Sequence, residues 1–262
     1  MQKLIIPALP PLRGALRQAQ GERGLNKLVA YMNMNRSVES PKKLYFETQA
    51  WATQKRAMGI DEAGRGCLAG PVVVGAVILP LYTNQPMLKD SKIMTKAQRE
   101  KAFSWITEHC AWTTAVADHK TIDTINIYQA TLLTMKHAYL NLMQTLPCDP
   151  ALLKYVLVDA MPLKIAAEEK PTGLECHYFN YGESLSPSIA AASIVAKVTR
   201  DRLMEELSAQ FPAYNFMQNK GYGTAEHIAA LKEHGPCAIH RTTFIKNFVE
   251  PHDQPKQTSL FC

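Results

Sequence analysis

Gly59-Ile60-Asp61-Glu62-Ala63-Gly64-Arg65-Gly66, followed after four intervening residues by Pro71-Val72-Val73-Val74-Gly75-Ala76-Val77-Ile78-Leu79, is the stretch on which the architecture turns. The second run is almost continuously apolar, as a strand buried on both faces would be. In a strand, side chains alternate faces, so Asp61 and Glu62 could not both aim at one ion if the first strand ran on through them. It is therefore expected to end or bend there. Gly64 and Gly66 carry no Cβ and let the backbone leave the pleat and approach a ligand closely. Arg65 between them presents a planar fork suited to phosphate oxygens. An acid pair beside a flexible basic loop suits metal-dependent chemistry on a phosphate backbone. The plain alternative is a hairpin turn with solvated charges, since short motifs recur by chance.

Working outward, the segments alternate in an α/β manner from Arg56 onward. Strands are expected at about 56–61, 71–80, 112–117, 153–159 and 174–179. Helices are expected at about 96–109 and at 125–146, where Ile127, Ala130, Leu133, Met135, Ala138 and Leu142 form an apolar stripe. A third helix is marked by Ser186 as N-cap and Pro187 at its first position, and should run to about Gln210. A fourth starts near Thr224 and closes at Gly235.

Two further carboxylates stand at chemically suggestive places. Leu153-Lys154-Tyr155-Val156-Leu157-Val158-Asp159 reads as an apolar strand ending on an acid, which places Asp159 at a sheet edge rather than in the core. Its ordinary reading is a strand-end aspartate capping the next turn. Glu183 lies three residues before Ser186, where the dipole of the following helix favours an anion. Its rival is Asp201, mid-helix between Arg200 and Arg202; Glu183 is preferred.

Composition bounds the rest. The chain has 262 residues, 47% of them hydrophobic, and a net charge of +6 that favours a polyanionic partner. Six scattered cysteines show no CxxC and no ligand-like spacing with histidine, so a reducing cytoplasm and no zinc site are expected. No apolar run approaches the roughly 20 residues a membrane helix needs. Residues 1–45 lack sustained periodicity and read as a mobile or weakly structured N-terminal extension, 46–250 as the catalytic domain, and 251–262 as a flexible tail.

The chain resembles ribonuclease HII, the type 2 ribonuclease H of bacteria, over about Arg56 to Phe248. The resemblance rests on the 59–66 motif, Asp90-Ser91-Lys92, Val158-Asp159, the run from Ile189 to Asp201, and Lys220-Gly221-Tyr222-Gly223-Thr224. It implies a ribonuclease H-like mixed central sheet flanked by helices, with a helical C-terminal part. It also implies hydrolysis of the phosphodiester 5′ of ribonucleotides in RNA/DNA hybrids and in duplex DNA, leaving a 3′-hydroxyl and a 5′-phosphate. The implied metal ligands are Asp61, Glu62, Asp159 and Glu183, holding two Mg2+ or Mn2+ ions. Backbone groups of Gly64, Arg65 and Gly66 would sense the 2′-hydroxyl, Tyr222 would stack on the adjoining sugar, and Ser91, Lys92 and Lys197 would touch phosphate. Without the resemblance, Tyr222 would read as a turn aromatic covering the core. Three positions depart from the family pattern: Glu183 stands where aspartate is usual, Cys67 where proline is frequent, and Ile93 where a second lysine follows Asp-Ser-Lys.

The last residues, Gln257-Thr258-Ser259-Leu260-Phe261, resemble the short peptide by which bacterial proteins bind the sliding clamp, with Gln257, Leu260 and Phe261 as anchors. The alternative is a tail that folds back on its own core. A monomer is expected. The competing functional reading is a non-catalytic nucleic-acid-binding or clamp-associated protein of the same fold, inactivated by glutamate at 183. A phosphotransferase lacks support because the chain has no Gly-x-x-x-x-Gly-Lys-[Ser/Thr] loop.

Overall fold

The computed structural model describes residues 43–146 and 149–249. Most of the expected N-terminal extension, and the tail with Gln257, Leu260 and Phe261, lie outside the described residues. In chain order the elements are α1 (Tyr45–Trp51), β1 (Arg56–Ala63), β2 (Val72–Ile78), α2 (Lys96–His109), β3 (Ala111–Ala117), α3 (His119–Thr145), β4 (Leu153–Asp159), β5 (Glu175–Phe179), α4 (Gly182–Leu185), α5 (Pro187–Ser208), α6 (Phe216–Asn219), α7 (Ala225–His234) and α8 (Thr242–Ile245). The strands form one mixed sheet in the order β3-β2-β1-β4-β5. β1 is antiparallel to β2, and β2 to β3, while β4 runs parallel to both β1 and β5.

Each face of the sheet is covered by a helix whose sequence fits it. Met58, Ile60, Val74, Ala76, Val156 and Val158 pack against Met135, Ala138, Tyr139 and Leu142 of α3. On the other face α5 comes unusually close, because Gly59 and Gly75 leave room for it. A Cβ on Gly59 would lie 2.0 Å from the Ser188 carbonyl carbon, and one on Gly75 2.4 Å from the Ala192 oxygen. The small residues of α5, from Ser188 to Ala196, complete that contact, and all of them are buried. The C-terminal helices gather around Tyr214, Phe216, Leu231 and Ile245, giving the helical C-terminal part its own core against Met204 of α5.

Local chemistry accounts for the helix ends. Ser186 accepts a hydrogen bond from the Ile189 amide with Pro187 behind it, and Thr224 accepts from His227. Helix α3 contains a break at Asn126 (φ 64°), whose side chain caps the second segment through the Gln129 amide at 3.1 Å. The expected start at 125 is thus a second start, the first turn being capped by Asp118. Helix α1 has no counterpart among the sequence expectations. It packs through Phe46 and Ala50 on Tyr155 and Ile189.

Candidate active site

Strand β1 does not end at the acid pair but continues through it to Ala63, with Asp61 opposite Gly75 and Glu62 opposite Val74. The expected break is therefore corrected, since β2 pairs with β1 along its whole C-terminal half and holds it in the pleat. Alternation then has the consequence that it was expected to avoid. Asp61 lies on the α5 face and Glu62 on the opposite parity. Parallel pairing of Ile60 with Val158 brings the next residues, Asp61 and Asp159, side by side on one face. Glu183 comes from the four-residue helix α4, behind Tyr181 in the left-handed region.

One oxygen from each of Asp61, Asp159 and Glu183 lies within 4.8 Å of the others. All three side chains are buried, at 3%, 8% and 4% exposure. Asp159 thus sits at the end of an inner strand, not at a solvated sheet edge. Its charge is met by the Gly182 amide, which donates to Oδ1 at 2.7 Å. The Glu62 amide donates to Asp61 Oδ1 at 2.7 Å, and Lys92 Nζ donates to Glu183 at 2.9 Å. Glu62 stands just outside the trio; its Oε1 meets Arg65 at 3.3 Å, while Oε2 is buried without a partner. Asp201 is elsewhere, paired with Lys197 at 2.8 Å. The extra methylene of Glu183 does not keep its carboxylate from the cluster.

The electrostatics are those of a site short of positive charge. Burial pushes the Asp61 carboxyl well above the usual carboxylate range, and the charges of Glu62 and Asp159 push it further. Burial likewise raises Glu62, against the Arg65 charge, and raises Asp159, against the Gly182 amide. Burial alone would lower the Lys92 ammonium, but its hydrogen bond to Glu183 and that carboxylate's charge hold it above its ordinary value. Four carboxylates therefore face two cationic side chains, Lys92 and Arg65. An all-oxygen, anionic donor set with one unpartnered oxygen fits a hard divalent cation such as Mg2+ or Mn2+.

The remaining expected residues are distributed unevenly. Gly64, at φ 95°, leads the turn out of β1, and a Cβ on Gly66 would meet nothing within 4 Å, so that side of the turn is open. Tyr222 is 39% exposed, with Lys197 Nζ 5.3 Å from its ring centre. Beside it lies a hollow of about 490 Å³ whose lining includes Lys96, Arg99, Lys197 and Lys220 against Asp201 and Glu205. Ser91, expected to touch phosphate, packs inward in the described structure. It is 3% exposed, and its hydroxyl lies 2.8 Å from that of Ser193, because the short 3₁₀ turn 91–93 packs onto α5. Residues that the sequence reading missed include Ser193, whose hydroxyl tempers the Asp61 shift, and the buried arginines Arg200 and Arg241. A usable signal existed for Arg200, which falls on the same helical stripe as Ser193, Ala196 and Met204.

Buried acids brought together at the ends of neighbouring strands in a five-stranded mixed sheet define a nuclease of the ribonuclease H-like class. The family model described as Ribonuclease HII matches residues 58–247, and the chain belongs to that family. It is 46% identical over 212 residues to "Ribonuclease HII" of Ruminiclostridium cellulolyticum, covering 80% of this chain and 78% of the relative. It is 49% identical over 204 residues to "Ribonuclease HII" of Geobacter sulfurreducens, covering 76% and 87%. Among solved structures, it is similar to ribonuclease H2 from Pyrococcus horikoshii OT3, with a TM-score of 0.57 and 24% identity over 72% of this chain and 93% of that one. It is also similar to a chain of the PCNA:RNase HII complex from Archaeoglobus fulgidus, with a TM-score of 0.56 and 25% identity over 73% and 96%. The activity is that of a ribonuclease H endonuclease, and the non-catalytic reading, which rested on Glu183, loses its ground.

Proposed function

We propose that Asp61, Asp159 and Glu183, with Glu62 alongside, hold two Mg2+ or Mn2+ ions at which ribonucleotide-containing strands are cut on the 5′ side of the ribonucleotide. The observation that carries this reading is the convergence of three buried carboxylates within 4.8 Å, each from a different element. Such ions, when bound, supply the charge that activates a water and stabilises the leaving oxygen. The chain's own groups do the rest. The Gly182 and Glu62 amides fix the orientation of Asp159 and Asp61, so the donors are set before substrate arrives. Lys92 offsets part of the negative charge that would otherwise repel a phosphate.

Substrate selection falls to the Gly64-Arg65-Gly66 turn and to Tyr222. In this reading the open main chain of the turn meets the 2′-hydroxyl, the group that distinguishes RNA from DNA at one residue. The exposed ring of Tyr222 stacks on the adjoining sugar, and the cationic hollow beside it follows the phosphate backbone. Lys197 contributes there once substrate draws it from Asp201. The protein acts as a monomer in the cytoplasm; among the described residues no helix is long and apolar enough to cross a membrane. Gln257, Leu260 and Phe261 tether it to the bacterial sliding clamp, raising its local concentration on newly made DNA.

The deciding experiment is incubation of duplex DNA bearing one ribonucleotide with the protein and Mg2+ or Mn2+. Incision 5′ of the ribonucleotide, with 3′-hydroxyl and 5′-phosphate ends, is expected. Intact duplex with both ions would overturn the reading.

A further inference from the structure

Two arginines, Arg200 on α5 and Arg241 just before α8, are fully buried, and neither has an acidic partner among the described residues. Burying an unpaired charge is costly, so these side chains need another justification. Each guanidinium donates to three main-chain carbonyls. Arg241 reaches Gly70 at 3.0 Å, Arg65 at 2.8 Å and Gly64 at 2.7 Å. Arg200 reaches Pro71 at 2.9 Å, Lys220 at 2.9 Å and Ala69 at 3.2 Å. Five of these six carbonyls belong to the segment from Gly64 to Pro71, and the sixth directly precedes Gly221-Tyr222.

The direction of these bonds matters. In a planar trans peptide the carbonyl and the following N–H point opposite ways. With the Gly64 and Arg65 carbonyls turned onto Arg241, the N–H groups of the same two peptides, those of Arg65 and Gly66, are turned away from it. Neither amide donates to any group among the described residues. Arg200 extends the same unit. A Cβ on Gly64 would lie 1.9 Å from its Nε, and its guanidinium carbon is 5.6 Å from the Tyr222 ring centre.

We propose that Arg241, assisted by Arg200, is a positioning residue for ribose recognition, holding two successive carbonyls inward so that the Arg65 and Gly66 amides form a preset donor pair for a 2′-hydroxyl. The inference rests on the nuclease reading above. Only a fork spans two adjacent carbonyls and a third at once; an ammonium at the same place keeps the charge and loses the geometry.

The test compares Arg241→Lys with the wild type in metal-free binding of two duplexes of one sequence, all-DNA and bearing a single ribonucleotide, alongside cleavage with Mn2+. The wild type is expected to prefer the ribonucleotide duplex. Arg241→Lys is expected to lose about tenfold of that preference, the worth of one charge-assisted hydrogen bond, with all-DNA affinity unchanged within roughly twofold. A purely structural role would lower both affinities together and leave the preference intact, which overturns the proposal. Should Arg241→Lys not fold, Asp123→Asn replaces it. Asp123 lies at a more exposed position and accepts from the Thr242 and Thr243 amides at 2.7 and 3.0 Å, tethering the start of α8. A loss of about threefold in preference is expected there, and an unchanged preference overturns the role of Arg241. A wild type that neither prefers nor cuts the ribonucleotide duplex overturns the nuclease reading itself. One that cuts without preference overturns only the ribose-sensing turn.

Discussion

Asp61 is held in a place that suits a cation and does not suit an isolated carboxylate. Burial and the neighbouring acids disfavour its ionised form in the folded chain, so the side chain carries a stability cost when no metal is bound. Asp61→Asn removes that charge at constant shape. The variant is expected to melt about 2 °C or more above the wild type in EDTA, to lose the wild type's rise in melting temperature on adding Mn2+, and to cleave on the order of 10³-fold more slowly. A wild type whose melting temperature is indifferent to Mn2+ would count against the cluster as a metal centre. The identity of Asp61 was legible in the sequence, but the direction of its neighbour was not. Alternation holds strictly along β1, and only the pairing with β2 shows that the strand runs to Ala63, leaving Glu62 on the other parity. Ser91 illustrates the same limit. Nothing local distinguishes a serine facing solvent from one whose hydroxyl is buried against Ser193 of α5.

At the level of elements, the site depends on how closely α5 lies on β1 and β2. Gly59 and Gly75 sit on the same face, and α5 answers them with serine and alanine, so main chain meets main chain. Gly59→Ala is expected to cost about 3 kcal/mol or more, because the added carbon would fall on the Ser188 backbone, which has no rotamer by which to yield. The measurement is thermal unfolding, with a fall of about 6 °C or more expected. The displacement of α5 should also reduce cleavage beyond the stability loss, since Ser193 and the Ser186 cap lie on it. Helix ends were readable because their chemistry is local: Ser186-Pro187, Thr224 and Gly235 each act within four residues. Helix α1 was not readable. Its seven residues carry too little periodicity, and what holds it is contact with Tyr155 and Ile189, more than a hundred residues away.

Across the whole molecule, the C-terminal part is tied together by a chain of neutral imidazoles. His240 Nδ1 accepts from the Cys237 amide at 2.9 Å, its Nε2 lies 3.0 Å from that of His227, and His227 Nδ1 lies 2.9 Å from the Tyr222 carbonyl. The pattern works with one proton on each ring; a second proton, on His240 Nδ1, would confront the Cys237 amide and find only the weakly accepting Cys237 Sγ, 3.1 Å away. Burial, followed by the charge of His227, pushes the His240 imidazole down to about 4. His227 is lowered as well, chiefly by burial. An unfolded histidine titrates near 6.5, so the unfolded chain binds more protons between those values. The stability contributed by the neutral pair is therefore intact above about pH 6.5 and lost as pH falls toward 4. Melting curves at pH 7.5 and 5 should show this loss, and His240→Gln should flatten it. At the far end of the chain, deletion of residues 257–262 is expected to abolish capture by an immobilised bacterial sliding clamp while leaving cleavage of a free duplex within roughly twofold; clamp retention after the deletion would sink the tether.

The sequence by itself determined the mixed α/β alternation, the caps of the long helices, and the acids worth considering, because these follow from periodicity and from interactions within a few residues. Asp61, Asp159 and Glu183 could each be singled out that way. Tertiary structure alone decided which of them meet, that Asp201 stays with Lys197, that Ser91 faces inward, and that Arg200 and Arg241 grip the turn after β1. Each of those outcomes depends on strand register or helix approach between segments far apart in the chain, and no local pattern encodes a distance of that kind.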